Sequence, residues 1–361
     1  MNKIVSIIGA RPNFIKAAAL SNRLKTSKLK EVIIHTGQHF SPNMSESFFN
    51  ELDIPKPDYN LDIHSLSHGA MTGRMVEKIE EVLLDVTPNV VVVHGDTNST
   101  LAGALAAVKL HIPVAHIEAG VRSFNMTMPE EVNRILTDHI SKMRFCTSFE
   151  SIRNLEGEGL TRDNIISGDL MYDIFLQYKD VAKNRKYIFD IVKEKSYGLV
   201  TIHREENTQD ITRLYNILNA MSSCPYMFVF PVHPRTEKIM RDQSDAFKNI
   251  EKKGNIIFIK PTSYIDMICL ELNSTFIMTD SGGVQKEAYY AHVPCLILRD
   301  ETEWVELVQE GYTTLVGAQD TNQIIKGFNS VMLSNIKFTD GIYGSGNAAE
   351  TIVDKLEYYW G

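Results

Sequence analysis

The feature that most limits what this chain can become is its alternation: short β-branched runs recur throughout, each followed by a glycine or polar residue and then by a longer segment of helical period. Strands buried on both faces read as unbroken apolar runs, so this alternation implies parallel sheets covered by helices on either side. In the first half the strands fall at roughly Lys3–Ile8, Glu31–His35, Asn89–His94, Val114–Ile117, Met143–Cys146 and Ile165–Ser167, with helices between them, notably His68–Leu84 and Pro129–Ser141. In the second half they fall at Tyr197–Ile202, Met227–Pro231, Ile256–Ile259, Thr275–Met278, Cys295–Leu298 and Thr313–Val316. A chain of 361 residues exceeds the roughly 250–300 that one core holds. Two doubly wound α/β domains are therefore expected, residues 1–168 and 169–346, with the break near Gly168-Asp169 and a charged helical stretch, Tyr178–Lys195, leading into the second sheet. The segment Asn347–Trp360 reads as a helix that carries Ile352, Leu356 and Tyr359 onto a neighbour, so residues 347–361 would cross back to the first domain.

Charge narrows the partners. With 37 Lys+Arg against 45 Asp+Glu the net charge is −8, and no basic cluster offsets it, which argues against nucleic acid. No signal-peptide run opens the chain and no later stretch approaches the ~18 apolar residues of a membrane span, so no membrane partner and a cytoplasmic location are expected. Cys146, Cys224, Cys269 and Cys295 are widely spaced, without CxxC pairs or histidines at zinc spacing, and read as reduced core residues.

In open parallel sheets ligands bind beyond the carboxyl ends of the strands, so the polar residues that follow each strand carry the functional signal. The first strand runs into Gly9-Ala10-Arg11-Pro12-Asn13-Phe14-Ile15-Lys16, a glycine turn and a helix start with two cations, which suits a phosphate or is an ordinary turn with surface charge. Asp96, just past Val90–His94, is either a helix N-cap or a catalytic carboxylate. Glu118 follows the next strand directly, where a cap is not favoured, and Pro129-Glu130-Glu131 opens a helix as first-turn acids commonly do. Three carboxylates converging on one site would raise one another's pKa values, as acid/base chemistry requires. Later strands deliver His203-Arg204-Glu205 and His233-Pro234 to their rim, and Thr279-Asp280-Ser281-Gly282-Gly283 turns a strand into a helix whose first amides are unobstructed. That helix start is a ready diphosphate cradle, with Glu287 nearly two turns along it in position to accept from ribose hydroxyls.

Taken in order, Gly9-Ala10-Arg11-Pro12, Thr36-Gly37-Gln38-His39, His94-Gly95-Asp96-Thr97, His116-Ile117-Glu118-Ala119-Gly120, Pro129-Glu130-Glu131, His203-Arg204-Glu205, His233-Pro234 and Asp280-Ser281-Gly282-Gly283 resemble the non-hydrolysing UDP-N-acetylglucosamine 2-epimerase family from end to end. The resemblance implies two Rossmann-like domains facing across a cleft, the GT-B arrangement, and chemistry without nicotinamide or metal. It implies removal of the proton on carbon 2 of UDP-GlcNAc as UDP leaves the anomeric carbon, then re-addition of UDP with a proton on the opposite face to give UDP-ManNAc for surface polysaccharide synthesis. Asp96, Glu118 and Glu130 match the catalytic positions, with His203 beside them. Arg11, Lys16, Arg134, His233, Ser281, Gly282, Gly283, Glu287 and Trp304 match substrate-holding positions. Gln38, His39 and Arg204 match positions that meet a second UDP-sugar acting as activator, and the family implies a homodimer.

Two departures bear on the sugar. Thr302-Glu303-Trp304-Val305-Glu306 stands where many members carry Thr-Glu-Arg-Pro-Glu, exchanging a charged contact for an aromatic face, and the segment from Glu118 to Pro129 is short, with Ser123-Phe124-Asn125-Met126. Both resemble the branch acting on UDP-2,3-diacetamido-2,3-dideoxy-glucuronate, which is the main alternative. A hydrolysing 2-epimerase, a GT-B glycosyltransferase and a silent sugar-nucleotide sensor are the others; the last two would not need three carboxylates.

Overall fold

Four consecutive valines, Val90–Val93, are fully buried in the middle of a sheet, and the rest of that sheet is built outward from them. In a computed structural model describing residues 2–38, 51–185, 196–232, 234–242, 247, 250 and 253–361, this seven-stranded sheet is wholly parallel. Its order is β3-β2-β1-β4-β5-β6-β7. The strands are β1 (Lys3–Ile8), β2 (Lys30–His35), β3 (Tyr59–Asn60), β4 (Val90–His94), β5 (Val114–Ile117), β6 (Met143–Cys146) and β7 (Asn164–Ile166). The second sheet has six parallel strands in the order β10-β9-β8-β11-β12-β13. They are β8 (Tyr197–Thr201), β9 (Met227–Pro231), β10 (Ile256–Ile259), β11 (Phe276–Thr279), β12 (Cys295–Ile297) and β13 (Thr313–Leu315). Both sheets are doubly wound, as the alternation requires. The short β3 carried no apolar run and was not expected.

Each sheet has one place where the winding reverses: between β1 and β4 in the first and between β8 and β11 in the second. At such a switch point the loops leave in opposite directions and open a crevice beyond the strand ends. Register brings the rim residues level. His94 pairs with Ile117, so Gly95 and Glu118 leave the sheet side by side, while Thr279 pairs with Thr201 and sets Asp280 next to the Ile202-His203 turn.

The chain forms two compact units, residues 1–177 with 340–361, and residues 178–339. The division differs from the expected 168/169 because the helix Leu170–Lys183 starts on the first unit: Leu170, Met171, Ile174 and Phe175 are buried, and Asp173 accepts from the amides of Ala348 and Ala349 at 3.1 and 2.7 Å. Those two amides open the terminal helix Ala348–Trp360, which lies in the first unit against Arg11–Leu24. Ile352 and Leu356 are fully buried there, but Tyr359 is 52% exposed, contrary to the sequence reading. The inward stripe is Ile352, Val353 and Leu356, and the Tyr359 ring packs on Tyr358 and Trp360 instead. Of the charged stretch Tyr178–Lys195, residues 186–195 lie outside the described ones. All four cysteines are free and buried. Among the described residues no helix is long and apolar enough to cross a membrane.

Candidate active site

The first rim is built on glycine. A Cβ at Gly9 would overlap the Thr36 and Ser99 hydroxyls, so only glycine lets β1 turn into the helix Arg11–Leu24 here. Asn13 locks that turn to its neighbour, donating to the His94 carbonyl at 2.9 Å and accepting from the Ala10 amide at 3.1 Å. Gly95 is left-handed, and a Cβ on it would lie 3.0 Å from the Lys16 ammonium and 3.4 Å from Glu118 Oε1, which brings all three residues to one point.

Glu118 and Lys16 form a buried ion pair. Glu118 also has φ = 67°, a left-handed conformation that strains a non-glycine residue by about 1–3 kcal/mol. That strain re-aims the carboxylate at the end of β5. Asp96 is not a cap, because Thr97 caps the following helix; its half-buried carboxylate pairs with Arg134 of the helix Pro129–Ile140. Glu130, also half-buried, lies four residues before Arg134 on the same helix face. The structure thus brings Asp96, Glu118, Lys16 and Arg134 together on one rim, with Glu130 on the helix that flanks it. Two of the three carboxylates expected to crowd one another face a cation instead, Glu118 a lysine and Asp96 an arginine. Lys16, read as a phosphate ligand, is here the partner of Glu118.

Behind this rim lies a network that sequence reasoning missed. Glu131, read as a first-turn surface acid, is fully buried: it accepts from the Ser123 amide and hydroxyl, the Phe124 amide and Arg134, and so pins the 123–124 loop. His116 places Nδ1 2.7 Å from Asp138 and Nε2 2.7 Å from the Gly95 carbonyl, so both ring nitrogens are held and the ring ties the β4 rim to the helix Pro129–Ile140. Asp138 also holds the Arg122 guanidinium at 2.7 Å and the Gly120 amide at 3.1 Å. Burial alone would raise the Asp138 carboxyl, but His116 and Arg122 hold it below the usual range. His94 is the contrast: fully buried beside Lys16 and His116, it is pushed down to about 3 and stays neutral. The signal was present in the sequence. In Pro129–Ile140 the ionisable residues Glu131, Arg134 and Asp138 recur at one helical spacing and face inward, while Leu136 is exposed, an inverted amphipathic helix.

In the second unit, Asp280 is fully buried at the end of β11 and accepts from the His203 amide, the Arg204 amide and Asn207, which draws the β8 turn onto the start of the next helix. The His203 ring stays half exposed, 3.3 Å from Asp280. Ser281 caps the helix Gly282–Tyr290, and a Cβ at Gly282 would meet nothing closer than 3.5 Å. Glu287 is buried on that helix. Arg204 lies 3.6 Å from Glu303, itself held by the buried Arg299 at 2.7 Å, a pairing the sequence did not reveal. Trp304 corrects the expectation of an aromatic face for the sugar: it is 5% exposed, its Nε1 donates to the Gly282 carbonyl at 2.9 Å, and the Lys286 ammonium sits 4.1 Å over its ring. It braces the cradle from behind. Gln38 likewise uses its carbonyl internally, accepting from the Ser99 amide and hydroxyl at 3.0 and 2.7 Å. His39, His233 and the Arg11 side chain lie outside the described residues.

The comparisons with known proteins agree with one another. The family model described as UDP-N-acetylglucosamine 2-epimerase matches residues 22–357. A UDP-N-acetylglucosamine 2-epimerase homolog of Methanococcus maripaludis is 47% identical, covering 98% of this chain and 99% of its own length. The UDP-2,3-diacetamido-2,3-dideoxy-D-glucuronate 2-epimerase of Pseudomonas aeruginosa is 46% identical over the same shares. The crystal structure of the Methanocaldococcus jannaschii UDP-GlcNAc 2-epimerase in complex with UDP-GlcNAc and UDP superposes with a TM-score of 0.91 at 40% identity, covering 99% of both chains. A carboxylate rim on one doubly wound unit and a glycine-opened helix start on another are what such a match should contain, and the chain belongs to the UDP-N-acetylglucosamine 2-epimerase family.

Proposed function

We propose that this enzyme interconverts UDP-GlcNAc and UDP-ManNAc by eliminating and re-adding UDP. A carboxylate of the first rim takes the proton from carbon 2, the C1–O bond breaks with its electrons leaving on UDP, and a C1=C2 double bond forms, giving a 2-acetamidoglucal. Re-addition joins the UDP oxygen to C1 and delivers a proton to C2 from the other face. The observation that carries this reading is the pairing of Asp96 and Glu118 at adjacent strand ends, each beside a cation, with Glu118 held in a left-handed backbone. An acid and a base on opposite sides of one carbon need two such groups, and Glu130 supplies a third. The second unit binds the nucleotide: the Ser281–Gly283 amides take the diphosphate, Glu287 takes the ribose hydroxyls, and the half-exposed His203 stands beside the leaving phosphate. Arg11 and His233 add to the nucleotide contacts, Gln38, His39 and Arg204 meet a second UDP-sugar as activator, and the enzyme works as a cytoplasmic homodimer. Four unpaired buried thiols agree with a reducing compartment.

The test is proton NMR of the protein with UDP-GlcNAc in D2O. UDP-ManNAc carrying deuterium at C2, with UDP retained, supports the reading; free N-acetylmannosamine means hydrolysis, and no change removes it. A second reading, epimerisation of UDP-2,3-diacetamido-2,3-dideoxy-glucuronate, is favoured by the 46% identity to the enzyme named for that sugar. The two substrates run side by side separate the readings.

A further inference from the structure

One buried ionisable group in the second unit has no part in the chemistry above. Glu271, near the end of the helix Tyr264–Asn273, is fully buried, and among the described residues no donor reaches either of its carboxyl oxygens. The groups that could have served are committed elsewhere or are not donors of the right kind. The Tyr197 hydroxyl donates to the Leu270 carbonyl at 2.7 Å, and the Cys295 thiol points at the Leu296 carbonyl. What Glu271 faces is the carboxyl of Glu287, on the packed helix Gly282–Tyr290. Two ionised carboxylates in an apolar interior repel and satisfy no acceptor; a single proton between them turns the repulsion into a hydrogen bond. Burial, reinforced by the neighbouring Glu287 charge, pushes the Glu271 carboxyl well above the usual range, which keeps that proton in place.

We propose that Glu271 is a positioning residue for Glu287, its carboxyl donating a hydrogen bond that fixes the Glu287 carboxylate in the rotamer from which it accepts the ribose hydroxyls. The proposal rests on the ribose role given to Glu287 above. It explains why an acid, and not an aliphatic residue, occupies a site with no donor and no solvent: a leucine would remove the hydrogen bond offered to Glu287 from the helix Tyr264–Asn273.

The experiment compares binding of UDP and 2′-deoxy-UDP by calorimetry in wild type, Glu271→Gln, Glu271→Leu and Glu287→Gln. Losing one hydrogen bond to a charged acceptor corresponds to about tenfold or more. Glu271→Leu is therefore expected to weaken UDP by about tenfold and to shrink the preference for UDP over 2′-deoxy-UDP toward that of Glu287→Gln, whereas Glu271→Gln, whose amide still donates, stays within about threefold of wild type. Wild type is also expected to lose UDP affinity at alkaline pH, once the shared proton leaves, and Glu271→Gln is not. An unchanged ribose preference in Glu271→Leu overturns the proposal, and so does a Glu271→Gln variant as weak as Glu271→Leu. Should Glu271→Leu fail to fold, the pH profile decides: the same alkaline loss in Glu271→Gln overturns it. If Glu287→Gln itself leaves the ribose preference untouched, the ribose assignment fails, a different result from failure of the positioning role alone.

Discussion

The two rims occupy equivalent places, each at the switch point of a doubly wound parallel sheet, yet they are finished in opposite ways. Beyond β4 and β5 the first rim is closed by charge: Glu118 against Lys16, Asp96 against Arg134, and a second layer in which buried Glu131 holds Arg134 and buried Asp138 holds His116 and Arg122. Beyond β11 the second rim is left open, its helix starting with glycine, its first turn braced from behind by Trp304, and the buried acid Glu271 facing Glu287. Paired charges held by fixed partners keep reacting groups in place, whereas open amides at a helix start receive an anion. The difference supports the proposed division, with proton transfer in one unit and nucleotide binding in the other.

The sharpest way to break this division is to remove one acid from each rim. Asp96→Asn, Glu118→Gln and Glu130→Gln are each expected to lower turnover by more than about 100-fold while UDP affinity stays near wild type, and Glu287→Ala to lower UDP affinity by about tenfold or more. Near-normal turnover in all three first-rim variants, measured by NMR, would remove the carboxylate mechanism.

Adding a methyl group to each rim comes next. Gly9→Ala drives a Cβ into the Thr36 and Ser99 hydroxyls and should cost about 1–3 kcal/mol of stability, while Gly282→Ala makes only ordinary contacts with Trp304 and Glu303, keeps its melting temperature and weakens UDP by crowding the amides. Equal loss of stability in the two variants, read by thermal unfolding, would show that the second rim is as closed as the first.

A smaller effect is expected at Trp304. Because the ring is buried under Lys286 and tied to Gly282, Trp304→Arg should weaken UDP through the cradle yet change the relative rates on UDP-GlcNAc and the diacetamido uronate by less than about threefold. A larger change in that ratio would return Trp304 to sugar selection; no larger change leaves Ser123–Met126 as the segment to test.

The smallest effect is a difference of sign. Asp138 is held below its ordinary 3.8, so its contribution to stability is present above that pH and is lost as the pH falls through the depressed value. Glu271 is raised above its ordinary 4.5, so its contribution is present below that pH and is lost as the pH rises through the raised value. Hydrogen exchange should therefore show Asp138→Asn flattening the acid limb of the first unit and Glu271→Gln flattening the alkaline limb of the second. The same limb responding in both variants would contradict the contrast.

What the sequence determined by itself was periodic or punctual. Short runs rich in apolar residues between turn residues make parallel strands of an α/β sheet, so β1, β5, β6, β9 and β10 were legible to the residue, and the polar residues that follow strands must sit at the rim, which made Asp96, Glu118, His203 and Ser281 legible as site candidates. What only the tertiary structure decided was partnership. That Lys16 meets Glu118 instead of standing free, that Glu131 turns inward from a helix start where acids normally face water, that Trp304 braces Gly282, and that Glu271 finds another acid all depend on residues far apart in the chain becoming neighbours. Periodicity reports which face of an element is buried; it carries no information about which element covers that face, and for an ionisable group the covering element decides whether burial raises it, lowers it or leaves it paired.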